Sequence, residues 1–369
     1  MLPPNAAFGA SVTEPVSGNS GSYTGGAIIN GGNSSAPNPV LVPFTLNELE
    51  TNGSGTITIQ LANSPLIISA LTVEAVAPPL GSTWQTDGDG NWSALVNWSP
   101  GVPNAAEAKA RFDSTLPLTG PVTATLDSAT TLGELNFDSS QSILIDGANT
   151  LTIDNAGVAD VTASAGSHEI AADVDLSDPL DVSLAAGSSL NVSGALSGTS
   201  TVTLKGSGDL LLSGDLSGFT GGLIGAGGVL EVPVGNVATD VALMNTKQGG
   251  EISIFGTVTL ASNANFGVGA GLTGTTGAVT VESGGELNIG AGGAFTGIGG
   301  RDFTGAQLGN GTLTIAGGTL NVAAPGTNNS GAGGLDATNF WLNPYGNGGG
   351  ATTINLDGGV LSSARNIAN

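Results

Sequence analysis

Apolar and polar residues alternate along this chain in short runs separated by glycine, and one phrase keeps returning. Val279-Thr280-Val281 passes through Gly284-Gly285 into Leu287-Asn288-Ile289. Leu313-Thr314-Ile315 passes through Gly317-Gly318 into Leu320-Asn321-Val322, and Ile354-Asn355-Leu356 through Gly358-Gly359 into Val360-Leu361. Looser copies run from Val202-Thr203-Leu204 to Leu210-Leu211-Leu212, from Val182-Ser183-Leu184 to Leu190-Asn191-Val192, and from Ile143-Leu144-Ile145 to Leu151-Thr152-Ile153. Such alternation predicts strands that bury one side and leave the other to solvent. Thr280, Asn288, Thr314, Asn321 and Asn355 fall on the outward side. The Gly-Gly pairs permit sharp corners, because glycine takes positive φ without steric cost.

Apolar–polar–apolar triplets begin near positions 143, 182, 202, 258, 279, 313 and 354. Several intervals lie near one or two multiples of about 20 residues, the size of a solenoid coil with two or three short strands. The intervals of 56 and 34 imply insertions or further coils. The prediction is an all-β parallel β-helix of roughly 12 coils, about 60 Å long at ~4.8 Å per coil. A tandem array of β-sandwiches is the alternative, and it would bring longer strands and a more aromatic core. Helix is expected only at 104–111, which is short.

Three regions follow. Residues 1–80 form a small β-rich region whose first 40 residues read as loop. Its strands are predicted at 56–61 and 66–73, joined by the turn signal Asn63-Ser64-Pro65. They resemble the closing strands of a β-sandwich of the carbohydrate-binding type. Residues 81–112 hold Trp84, Trp92 and Trp98, three of the chain's four tryptophans, and read as a cap over the first coil. The repeats occupy 113–369.

Composition narrows the chemistry. With 62 glycines and only 4% aromatic residues in 369, many thin aliphatic layers are expected rather than one thick core. Six Lys and Arg against 29 Asp and Glu give a formal charge of −23. That balance repels nucleic acid and anionic membranes, and it suits solubility in an extracellular medium. No apolar run approaches the ~20 residues of a membrane span. The absence of cysteine removes disulfides, thiolate metal sites and cysteine nucleophiles. The opening Met1-Leu2-Pro3-Pro4 carries no basic and hydrophobic leader, so the chain reads as a processed or truncated piece of something longer.

Candidate sites are few. Asp87, Asp89 and Asn91 place oxygens at alternate positions, as at the start of a calcium loop, but Trp92 and Trp98 stand where that loop needs Gly and Glu. Calcium is the one cofactor this pattern admits. Trp92, Trp98, Trp341 and Tyr345 are candidate contact residues, since aromatic faces suit sugar rings. For the Trp-rich segment and the 324–350 insertion alike, covering the stack is the competing reading. His168 reads as a surface histidine. Asp173, Asp175, Asp178 and Asp181 read as a solvated edge rather than an acid–base pair. Lys205, Lys247, Arg301 and Arg365 are too scattered to suggest catalysis on polyuronates.

The phrases GNW…NWSPGVPN, ATLDSATTLGELNF, GGTLNV and LDGGVLSSARNI resemble autotransporter-associated β-strand repeat proteins, large secreted products of environmental bacteria such as Planctomycetes and Verrucomicrobia. The resemblance spans about residues 83–369. It implies a right-handed β-helix on, or released from, the cell surface, although neither a translocator barrel nor a sorting signal is visible. The reading is therefore a noncatalytic extracellular structural or adhesive protein that self-associates into fibres or matrix. Binding of extracellular glycans is the alternative, and a β-helical polysaccharide-degrading enzyme a further one.

Overall fold

The computed structural model describes residues 8–13, 20–25, 58–62, 81–113, 118–269, 275–291, 296–301, 308–324, 339–342 and 350–368. Two compact units divide between Val76 and Ala77. In the first, Phe8–Thr13 pairs antiparallel with both Ser20–Gly25 and Thr58–Ala62 in a three-stranded sheet. The third strand is the one predicted at 56–61. The other two lie in the stretch expected to be loop, where glycine and serine dilute the alternation. Pairing of Val12 with Ile59 and of Ala10 with Leu61 supplies what local pattern lacks. The strand predicted at 66–73 lies outside the described residues.

The second unit is a parallel β-helix. Each coil lays one strand on each of three faces, as in Val202–Gly206, Asp209–Leu212 and the segment around Phe219, before Gly222–Ala226 returns to the first face. First-face strands stack from Gly81–Trp84 to Asn366–Ala368, and second-face strands from Gly90–Asn91 to Thr352–Asp357. The third face begins with Thr130–Leu132, Leu151–Ile153, Val174–Leu176 and Leu196–Gly198. It resumes with Val237–Ala238 paired to Thr257–Val258, and continues through Glu286–Asn288, Thr319–Val322 and Val360–Ser363. No α-helix occurs among the described residues. At 104–111, Lys109–Phe112 is instead a strand, because Ala110 and Phe112 are inward positions stacked on Leu135 and Phe137.

Ala159, Leu180, Val202, Leu223, Met244 and Phe266 stand in register on the first face, so mid-stack coils take about 21 residues. The triplets near 182 and 202 lie on this face, those at 143, 279, 313 and 354 on the second, and that at 258 on the third. Intervals across the groups therefore compare strands that never meet. The intervals of 34 and 41 residues are single lengthened coils, since Leu313 stacks on Val279 and Ile354 on Leu313.

One hydrophobic cluster runs through the interior from Trp84 to Phe340. Strands alternate buried and partly exposed positions, as in Ile143–Asp146 and Thr319–Val322. The first coils are filled by aromatic rings. Trp84 meets Trp98 edge-on at 5.1 Å, Trp92 lies 4.6 Å from Trp98, and Phe112 stacks on Phe137 at 5.8 Å. Trp98–Ser99 folds back antiparallel onto Thr83–Trp84, covering a strand edge that would otherwise invite pairing. Beyond these coils the filling is mainly Leu, Val and Ile, with Phe219, Phe266 and Phe340 buried singly.

At the second-to-third corner the two glycines of each pair have different tasks. Gly284, Gly317 and Gly358 have φ of 85°, 79° and 72°. Gly285 and Gly318 keep ordinary φ, but a Cβ there would collide with the carbonyl oxygens of Ile254 and Glu282 in the coil before. A Cβ on Gly317 would meet only Ser283, at 3.4 Å.

Gly318→Ala should lower stability by about 1–3 kcal/mol through overpacking. Gly317→Asn, whose side chain tolerates this φ, should stay within about 0.5 kcal/mol of the parent. Denaturant titration of the two variants distinguishes the roles, and equal effects would contradict them. Replacing Trp84, Trp92 and Trp98 together by Ala should fray the first coils, each truncation costing about 3–5 kcal/mol locally. Amide exchange would then accelerate between residues 81 and 112 while protection around 180–260 persists. Unchanged protection at the first coil would refute the sealing role.

Candidate functional site

The turn after Trp84 uses its carboxylates to hold the next coil. Asp87 accepts from the Thr119 backbone N–H at 2.8 Å and its hydroxyl at 2.9 Å, and Asp89 accepts from the Thr123 N–H at 2.7 Å. The Asn91 carbonyl accepts from Asn97 at 2.9 Å. The three calcium candidates therefore each serve a turn or a neighbouring coil. Among the described residues no group of three or more His, Asp or Glu side chains is placed to hold a metal ion.

Trp92 and Trp98 are 0% and 3% exposed, which corrects their reading as contact residues: neither offers a ring face to a ligand. Their indole N–H groups donate inward, from Trp92 to the Pro103 carbonyl at 3.0 Å and from Trp98 to the Trp92 carbonyl at 2.8 Å. Buried indoles need such partners. Trp341 is partly exposed on the first-face strand Asn339–Leu342, and Tyr345 lies outside the described residues.

The acidic residues of 173–181 separate onto different faces. Asp175 is on the third-face strand and accepts from Ser197 at 2.9 Å, whereas Asp181 is on the first and pairs with Lys205. Asp173 accepts from the Ala195 N–H and Asp178 from the Asn155 N–H. Register also stacks Lys109, Glu134, Asp160 and Asp181 in one outward column. Lys109 pairs with Glu134 at 2.5 Å. Burial, with Asp181 and Glu134 on either side, pushes the Asp160 carboxyl above its ordinary range, and Lys205 and Lys109 oppose that only in part.

His168 is buried, not on the surface as its polarity suggested. It is in register with Leu190, in an inward column that continues through Leu210, Leu230 and Ile252. Its ring stacks on Phe137 at 4.6 Å. Nδ1 accepts from the Ile143 N–H at 3.3 Å, leaving Nε2–H to donate to the Ala165 carbonyl at 2.7 Å. Desolvation holds its pKa below the ordinary 6.5.

A concave feature lies on the third face. A trough of about 430 Å³ is walled by Thr259, Asn288, Asn321 and Ser362, one from each of four successive coils. Its floor is Gly290, Ala323 and Ala364. Asn321 donates to the Asn288 amide oxygen at 2.9 Å and to Glu286 at 3.1 Å, and Asn288 donates to the Thr259 hydroxyl at 3.4 Å. Beside the floor the buried Arg365 guanidinium donates to the carbonyls of Gly290 (2.9 Å) and Ala323 (3.0 Å) and to the Thr296 hydroxyl (3.0 Å). Sequence reasoning missed this trough. Its wall residues are about 30–40 residues apart and become neighbours only through the coil register.

His168 sets an acid limit on stability. Its folded pKa is depressed, so below 6.5 the unfolded chain takes up a proton that the folded chain refuses. Stability present above that pH should fall as pH drops toward the folded pKa. His168→Leu, matching its column, should flatten the loss between about pH 7 and pH 5, as read by denaturant midpoints. An unchanged slope would contradict this. Compared with known proteins, the chain matches no family model, no curated protein and no solved structure.

Proposed function

We propose that this chain is a noncatalytic structural or adhesive protein of the extracellular medium or cell surface, a β-helical scaffold that builds fibres or matrix. The observation that carries this reading is the occupation of its polar side chains: they brace each coil against the next. Ser93 donates to Asp127 at 2.6 Å, Ser213 to Asn191 at 2.6 Å and Thr280 to Glu251 at 2.8 Å. Ser164–Asp138 and Ser193–Glu169 repeat the pattern. Each pair joins adjacent coils. A carboxylate held this way is a strut, and its pairing opposes the freedom a general base needs.

Self-association belongs to the same reading. The resemblance to autotransporter-associated repeat proteins agrees with a surface location.

The purified chain, incubated with neutral and acidic polysaccharides, should release no reducing ends. It should form concentration-dependent assemblies in light scattering. Polysaccharide cleavage abolished by Asp181→Asn or Asp160→Asn would overturn the noncatalytic reading, and a concentration-independent monomer would overturn the assembly.

A further inference from the structure

We propose that the third-face trough binds an extended, uncharged oligosaccharide, with one sugar residue to each coil. Four observations converge. The wall groups of Thr259, Asn288, Asn321 and Ser362 are hydroxyls and amides, which both donate and accept hydrogen bonds. So do sugar hydroxyls. None of the residues lining the trough is charged, in a chain of net charge −23. Glu286 stands beside the wall, bonded to Asn321, and together with the acidic exterior it disfavours an anionic polymer.

The third observation is spacing. The wall residues are register partners on successive coils, so they repeat every ~4.8 Å. A β-linked pyranose in an extended chain advances by nearly the same distance, and one contact geometry can therefore repeat along four coils. The main chains of Glu286–Ile289 and Thr319–Val322 are paired on both sides within the sheet. An extended peptide lying over Glu286–Ile289 and Thr319–Val322 would find no free backbone edge on them, and that edge is what gives strand addition its affinity.

The fourth is the floor. Gly290, Ala323 and Ala364 carry at most a methyl group, so a ring can approach the sheet closely beside the wall. Arg365 fixes the carbonyls of Gly290 and Ala323 from the adjoining corner. The floor is thus set before a ligand arrives, which lowers the entropy lost on binding. The volume of about 430 Å³ lies within the usual range of ligand sites. Asn288 and Asn321 bond to their neighbours, yet each amide has two donors and two acceptor lone pairs, more than the ladder engages.

Titration calorimetry of the whole chain with β-1,4- and β-1,3-linked gluco- and manno-oligosaccharides, from disaccharide to hexasaccharide, tests this. Affinity should rise with length to about four residues, one for each wall position, and change little with added salt. Asn288→Ala with Asn321→Ala should weaken binding at least tenfold. Asn191→Ala on the second face should not. Ser362→Glu, at an exposed position, places charge and bulk in the trough without touching the interior and should weaken binding even if the double variant misfolds. Failure of all these sugars to bind the folded chain would overturn the proposal. So would binding indifferent to Ser362→Glu, or preference for a strand-forming peptide or a polyuronate. The proposal does not rest on the structural reading: binding without cleavage fits both, and its failure leaves the coil-bracing role intact.

Discussion

A strand in a parallel ladder bonds to a neighbour that lies a whole coil away in sequence, and the rest of this structure follows from keeping that register. Each coil must turn three corners and return at the same height, with every inward side chain over its counterpart. The Gly-Gly corners show how tight the requirement is. One glycine supplies a backbone angle unfavourable to other residues, and the other makes room for a carbonyl of the previous coil. Side-chain braces such as Ser213–Asn191 and Thr280–Glu251 then tie coils together on the outside.

The interior is graded along the stack. Trp84, Trp92, Trp98, Phe112, Phe137 and His168 cluster in the first coils, and mainly aliphatic layers, with Phe219, Phe266 and Phe340 buried singly, fill those that follow. Large rings gather where the described coils begin, while mainly Leu, Val and Ile fill the coils further along. The same logic explains His168. Its ring continues the aromatic column, and its two nitrogens satisfy backbone groups on either side, so the side chain is an interior element that carries a proton limit.

Much of the fold was legible in the sequence because strand alternation and glycine punctuation are local signals. The all-β class, the parallel solenoid and the coil size near 20 residues all came from them. What local pattern could not supply was the identity of the faces. Val182, Val258 and Val279 begin similar phrases yet lie on three different sheets, so intervals between them mixed unlike positions. The sites suffered in the same way. Asp87 and Asp89 looked like ligands because their partners, Thr119 and Thr123, are about 30 residues away. The trough was invisible because Asn288 and Asn321 are outward residues like many others until the register lines them up.

The register is accordingly the claim on which the account stands or falls. The chain has no cysteine, so pairs can be introduced cleanly. Thr162 and Ser183 are outward register partners on adjacent first-face coils, while Lys205 lies one coil further on, paired with Ser183. With a thiol cross-linker spanning about 5–7 Å, Thr162→Cys with Ser183→Cys should bridge within one chain in high yield. Thr162→Cys with Lys205→Cys, roughly 10 Å apart at two strand spacings, should not. Efficient bridging of the second pair, or none of the first, would contradict a coil of this length and the stack built from it.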